Sequence, residues 1–270
     1  YEMIQRLVGS EMCIRDNNCL RQLYNSKLGI DRNMKSKYTK MQSNGNDFLI
    51  TEDIKLVSKT KELSDRIKNI GFDQLLFFQN KEIPILQVFN ADGSEADNCV
   101  NGLRCIAFLY GLKNTYIKIK KRSFYVNKTK NGAVVRGSFP QIKKIHDWYV
   151  INFGNNHIAK SCEDIDGFDL KSAYKTEREN MLFNSIDNFN MSIFKICENS
   201  IKIRTYENGT GETLSCGSAT ISVAYALSFE LGLNELTFKS LGGETKVYIS
   251  NDGVASEASA EIIEEGFLNG

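Results

Sequence analysis

The sequence predicts an α+β fold of two similar halves, each a curved sheet packed on one long helix, with a cleft between them. Three observations predict it. Short apolar or alternating segments of strand length recur along the chain. Only two strongly helical segments interrupt them, Asn101 to Leu112 and Ser218 to Leu231, and each follows directly on a cysteine that ends a loop of small polar residues. Laying Cys99 over Cys216 brings Glu95 onto Glu212, Gly102 onto Ala219, Ala107 onto Ala224 and Phe108 onto Tyr225, an internal repeat of about half the folded chain.

The elements follow in order. Residues 1–33 show no strong periodicity and no basic stretch leading into an apolar core, so they do not read as a secretory signal and are expected to be an extension outside the fold. The folded chain is expected to start near Met34, where Lys37 to Met41 alternates like a strand. Phe48 to Thr51, Leu75 to Phe78, Ile83 to Asn90 and Thr115 to Lys120 read as strands. Asn131-Gly132, between Phe124 to Lys128 and Ala133 to Phe139, predicts a two-residue hairpin turn with positive φ at both positions. The first half is then 34–147 and the second 148–270. In the second, Trp148 to Phe153, Met191 to Ile196, Ile201 to Tyr206, Leu236 to Lys239 and Thr245 to Ser250 read as strands, with turns at Asn199-Ser200, Gly242-Gly243 and Asp252-Gly253.

Composition narrows the function. With 34 basic against 33 acidic side chains in 270 residues, no basic excess exists to hold nucleic acid or an anionic membrane surface. The longest apolar run, Ile106 to Leu112, falls far short of the roughly 20 residues that cross a bilayer, so no membrane span is expected. The seven cysteines are odd in number and irregularly spaced, which predicts reduced thiols in a cytoplasm. Two histidines and no Cys-x-x-Cys pair argue against a metal site, and the chain carries no phosphate-loop or dinucleotide glycine pattern, so no cofactor is expected.

The chemistry gathers at the two repeated cysteines. A free cysteine is by default a core residue, and Cys105, mid-helix beside Ala107, fits that default. Cys99 and Cys216 differ: a thiol at a helix start faces unpaired backbone amides and the positive end of the dipole, which predicts a lowered pKa and partial ionisation at neutral pH. One nucleophilic cysteine needs a single activated thiol, whereas two equivalent thiols on two equivalent helices suit a symmetric task. One would take a proton from one face of a carbon while the other delivers a proton to the opposite face. Two helix N-termini aimed at an α-carboxylate would stabilise the carbanion-like state between the two transfers. The partner expected is a small amino acid. Two facing thiols are also expected to form a disulfide that blocks activity until it is reduced.

These residues resemble the diaminopimelate epimerase family from Met34 to the C-terminus. The resemblance is carried by Gly45-Asn46-Asp47-Phe48, Gly71-Phe72-Asp73-Gln74-Leu75-Leu76, Asn90-Ala91-Asp92-Gly93-Ser94-Glu95, Cys99 with Asn101-Gly102, Gly154-Asn155 with His157, Gly211-Glu212-Thr213 with Cys216-Gly217-Ser218, and Gly242-Gly243. It implies two similar α+β domains, each a mostly antiparallel sheet around a central helix, and cofactor-independent conversion of LL-2,6-diaminopimelate to its meso isomer in lysine and peptidoglycan precursor synthesis. It also implies Cys99 and Cys216 as the catalytic thiols, flanked by His157 and Glu207. Asn101, Ser218 and the amides of Val100 and Gly217 would cradle the α-carboxylate. Asn46, Gln74, Asn90, Asn155, Asn190 and Asn208 would surround the rest of the substrate.

The chain departs from the family pattern in places. Asn208 stands where the family has an arginine expected to hold the distal carboxylate, and a neutral amide makes no bidentate charge-assisted pair. Val100 stands in place of a glycine beside the first thiol, where it would bring a side chain close to the carboxylate cradle. Asn156 replaces a proline, and Leu103 and Ala219 replace small residues at the helix starts. Besides the epimerase, the alternatives are a racemase of another amino acid on the same fold, a non-catalytic ligand-binding relative and, more weakly, a cysteine hydrolase using His157. A homodimer is the one assembly entertained.

Overall fold

The structure, a computed structural model, describes residues 35–269. The expected extension 1–33, with Cys13 and Cys19, lies outside the described residues.

The first half opens with β1 (Lys35–Ser43), β2 (Asn46–Thr51), two short helices α1 (Ile54–Val57) and α2 (Thr60–Leu63), β3 (Gln74–Gln79) and β4 (Ile85–Asn90). The long helix α3 (Val100–Leu109) follows, then the meander β5 (Thr115–Ile119), β6 (Arg122–Lys128) and β7 (Gly132–Gly137). After β8 (Gln141–Ile145) the pattern repeats: β9 (Trp148–Asn152), β10 (Asn156–Ser161), helix α4 (Leu170–Glu179), β11 (Phe189–Ile196) and β12 (Ile201–Glu207). A short β13 (Gly211–Thr213) leads to helix α5 (Gly217–Leu231), the meander β14 (Glu235–Ser240), β15 (Gly243–Ser250) and β16 (Gly253–Ser259), and the final β17 (Glu261–Asn269).

The pairing repeats as the order does. β2 runs parallel to β3 and β10 parallel to β11; β4 touches β5 in parallel and β12 touches β14 in parallel. The remaining neighbours within each half are antiparallel. The two halves join along β7 and β16, antiparallel from Gly132 opposite Ser259 to Gly137 opposite Val254. Each half also sends a strand across: β8 leaves the first half and pairs with β9, while β17 leaves the second and pairs with β1 along nearly its whole length.

The sequence chose these elements by burial. α5 is buried on nearly all sides from Gly217 to Leu227, which its apolar and small residues allow. α3 is buried from Val100 to Ala107. Their side chains, with Leu103 and Ile106 of α3 and Ile221 and Val223 of α5, share one apolar core that continues through both halves. α4 is a third long helix that periodicity does not reveal: it buries only Leu170 and Tyr174 and is otherwise polar, starting on the side chain of Asp169, which accepts from the Ser172 amide. Under it lies a separate cluster with Trp148, Ile158, Phe183, Phe189 and Met191.

The Asn131-Gly132 hairpin forms, but not with the expected geometry. The Thr129 amide donates to the Gly132 carbonyl, so the turn centres on Lys130-Asn131, and neither Asn131 nor Gly132 has positive φ. Glycine is required at 132 for another reason: a Cβ there would sit 2.0 Å from the Ala258 carbonyl oxygen, where β7 meets β16.

Candidate active site

Both repeated cysteines stand where a loop becomes a helix. Cys99 is the N-cap of α3, in extended backbone conformation, and its Sγ accepts from the Gly102 amide at 3.3 Å. Cys216 is the N-cap of α5; its Sγ lies 3.4 Å from the Ser218 hydroxyl. The two helix starts meet. A Cβ added to Gly217 would lie 2.8 Å from Asn101 Oδ1 and 2.9 Å from Val100 Cβ, and Asn101 Nδ2 donates to the Ser215 carbonyl. The valine expected to intrude on the carboxylate cradle thus packs against the bare backbone at Gly217 and is itself only 2% exposed.

Above this junction opens a cleft of about 690 Å³ that takes its walls from both halves. Cys99, Cys216, Val100, Asn101, Gly217, Ser218, Asn46, Gln74, Asn90, Asn155, Glu207 and Asn208 line it. Their side chains are held in place. Gln74 Nε2 donates to Asn90 Oδ1, whose amide in turn donates to Ser94, fixing the loop that leads to Cys99. Asn46 donates to Asp73, which with Asp47 also grips Arg66. Asn155 Nδ2 donates to Ser218 Oγ, and Asn98 Nδ2 to Asn155 Oδ1, so a chain of amides runs from beside one thiol to beside the other. Glu207 accepts from the Thr213 hydroxyl, and burial raises its carboxyl pKa.

Two expected members do not reach the cleft wall. Among the described residues lining it, neither His157 nor Asn190 is found. Asn190 acts one layer back: its Oδ1 accepts from the Asn208 amide, while Tyr174 of α4 donates its hydroxyl to Asn208 Oδ1. His157 is 1% exposed, with both ring nitrogens buried and unpartnered. Burial alone drives its pKa from 6.5 to about 3, so it is neutral in the folded protein at any ordinary pH. The unfolded chain takes up this proton as pH falls through about 6.5, whereas the folded one refuses it until about 3. Stability is therefore complete above that range and declines with acidification inside it. Urea midpoints measured from pH 7 to pH 4 should fall, and His157→Asn should remove part of that slope; an unchanged slope in the variant would show that other groups carry it.

The thiols also differ from expectation. Burial pushes the Cys99 pKa up to about 12, against the lowering effect of the Gly102 amide, and raises that of Cys216 well above the ordinary thiol value, with the nearby Glu207 carboxylate adding to it. Desolvation thus outweighs the helix termini and favours the neutral thiol at both positions. Sequence position alone showed the amides but not the depth. Sequence reasoning also missed Asn98, Ser215, Thr213, Arg66 and Asp73 on the wall; Asn98 and Ser215 directly precede the two cysteines, which is the signal that could have found them.

The chain matches the family described as Diaminopimelate epimerase over residues 38–136 and 149–262. It is 31% identical over 262 residues to the diaminopimelate epimerase of Buchnera aphidicola subsp. Baizongia pistaciae, covering 81% of this chain and 90% of that protein. To the one of Wigglesworthia glossinidia brevipalpis it is 35% identical over 230 residues, 68% of this chain and 80% of that protein. In fold it is similar to a phenazine biosynthesis protein of the PhzF family from Enterococcus faecalis, with a TM-score of 0.66 at 13% identity over 87% of this chain and 99% of that one. It is also similar to a hydroxyproline epimerase from Agrobacterium vitis, solved with trans-4-hydroxy-L-proline bound, with a TM-score of 0.59 at 6% identity over 87% of this chain and 91% of the other.

Proposed function

Because the chain belongs to the diaminopimelate epimerase family and is an isomerase, we propose that it converts LL-2,6-diaminopimelate to the meso isomer with Cys99 and Cys216 as its two acid–base groups. The observation that carries this reading is the meeting of two cysteine-capped helix starts at one cleft. The substrate α-carboxylate sits against the free amides of both starts, with Asn101 and Ser218 beside it. One sulfur, as thiolate, takes the proton from Cα; the C–H electron pair stays on Cα and spreads into the carboxylate, whose developing charge the two helix ends stabilise. The opposite thiol gives its S–H proton to the other face of Cα and is left as the thiolate. Turnover exchanges the roles of the two sulfurs, and no other reactant is consumed. In this reading the enzyme works in the cytoplasm and its product feeds lysine and cell-wall precursor synthesis.

A second reading, racemisation of an amino acid with one carboxylate, is favoured by the charges on the wall. Among the described residues lining the cleft Arg66 is the cation, and it is already paired with Asp47 and Asp73 at 2.7 Å. Asn208 adds no charge. The test is α-proton exchange in D₂O with reductant present, offering LL-diaminopimelate beside lysine and glutamine, with chiral separation of the products. Deuterium uptake with meso product supports the first reading; uptake on a single-carboxylate amino acid alone replaces it with the second; no uptake on any leaves a binding protein.

A further inference from the structure

The turn between β12 and β13 closes one end of the cleft, and Asn208 stands at its tip. The Thr210 amide closes that turn on the Glu207 carbonyl, and Asn208, Gly209 and Thr210 all line the cleft. Cys216 follows the other end of β13, so three residues of strand, about 10 Å, separate the tip from the second thiol along the chain. Two bonds hold Asn208 in place: its backbone N–H donates to Asn190 Oδ1 at 2.9 Å, and its Oδ1 accepts from the Tyr174 hydroxyl at 2.9 Å. Tyr174 is held in turn. It is 8% exposed, and its ring stacks on Tyr206 at 4.4 Å between centroids and meets Phe189 edge-on at 5.7 Å. With the amide oxygen taken, the side-chain group left to Asn208 is Nδ2, which bonds to no other described residue. An exposed asparagine is otherwise free to turn either end of its amide to a ligand; here the tyrosine leaves only the donor end for the cleft. No charge comes with it. Arg66 is committed to Asp47 and Asp73, and no side chain of α4, whose charged residues are Lys171, Lys175, Glu177, Arg178 and Glu179, lines the cleft.

We propose that Tyr174 is a positioning residue that sets substrate choice at this end of the cleft. By holding Asn208 Oδ1 it presents Nδ2–H as a neutral donor, so the subsite takes a side chain that ends in an acceptor oxygen and turns away one that ends in an ammonium alone. A neutral donor gains something from a charged acceptor but cannot form the paired, charge-assisted contact that a cation gives, so the preference for a carboxylate over a neutral carbonyl stays small. The inference rests on the proposed function in one respect: the α-carboxylate of the amino acid lies at the two helix starts, and its side chain then runs along the cleft toward the turn.

The probes are L-citrulline, L-2-aminopimelate and L-lysine, which place a neutral carbonyl, a carboxylate and an ammonium at the same number of bonds from Cα. Each is titrated into the full chain with reductant present and followed by ligand-observed NMR. The wild type should bind citrulline and aminopimelate within about threefold of each other and lysine about tenfold more weakly. Tyr174→Phe keeps the ring contacts and removes the hydroxyl. It should weaken citrulline and aminopimelate about tenfold, leave lysine within about twofold and, for any probe that is racemised, raise KM with kcat within about twofold. Asn208→Leu, at an exposed turn position, should do the same and decides the matter should Tyr174→Phe not fold. Adding Tyr174→Phe to Asn208→Leu should cost nothing further, because the tyrosine acts through the amide. Unchanged affinities in either folded variant, an equal further loss in the double variant, a preference for aminopimelate over citrulline above about thirtyfold, or failure of every probe to bind the wild type overturns the proposal. Absence of α-proton exchange with this binding pattern intact counts against the proposed function alone; exchange with the pattern missing counts against Tyr174 alone.

Discussion

Replacing either Cys99 or Cys216 by alanine is expected to abolish stereoinversion, with kcat lower by about 10³-fold or more in each single variant, the scale of a positioned proton-transfer group. The reason is the geometry of the two helix starts. Each sulfur belongs to a different helix and a different half, and no other thiol lines the cleft among the described residues. Neither can serve both faces of a carbon held between them. His157, the obvious reserve base, is neutral, buried and off the wall, so it cannot stand in. The structural cost of the change is small, because Cys99 gives up one long contact to the Gly102 amide and Cys216 one to Ser218. Melting temperatures should therefore stay close to wild type while exchange and inversion are lost. Exchange without inversion in one variant would assign the proton-removing role to the remaining sulfur. Full activity in either variant would end the two-base mechanism, and dependence on one cysteine alone would favour a hydrolase.

Gly217→Ala should produce the second largest loss without touching a reacting atom. The new methyl would lie 2.8 Å from Asn101 Oδ1, which Arg104 holds by a hydrogen bond, and 2.9 Å from Val100 Cβ, which is fixed to its backbone. The two helix starts would have to separate by a fraction of an ångström. Overpacking of this kind costs about 1–3 kcal/mol of stability, and a displacement approaching 1 Å at reacting groups costs about 10²-fold in rate. Val100→Gly in the same chain should recover part of both losses, because one of the two clashing contacts disappears; the double-mutant cycle measures that coupling. Full additivity would mean that the helix starts do not brace each other through this contact.

Much of this site was legible in the sequence because its grammar is local. A cysteine between a loop of small polar residues and an apolar helical run reads as an N-cap, and the two windows align over one another, so the repeat and the two main helices could be named from the residues, while the ten other expected residues found on the wall came from the family resemblance. What was not legible depends on depth and on distant partners. The thiols lie deep enough for desolvation to overcome the helix termini, which no spacing encodes. His157 and Asn190 sit on neighbouring strands in register with each other, behind the wall rather than on it. α4 escaped notice because only two of its residues are buried, and the Asn131-Gly132 turn was misread because Gly132 answers to Ala258 on another strand.

The exchange of β8 and β17 bears on how the chain acquires its fold. The first half is complete in sequence once β7 has been made, yet its outer edge at β1 pairs with Glu261–Asn269, which come after all the other strands of the second half. If the early half folds first, it persists with an open edge at β1, exposed to pairing with other chains, until β17 has been translated. Pairing positions 35 and 269 closes a loop of nearly the whole described chain, the kind of contact whose entropy is met late and slowly. The same pairing that holds the two halves around one cleft ties completion of the first half to synthesis of the second.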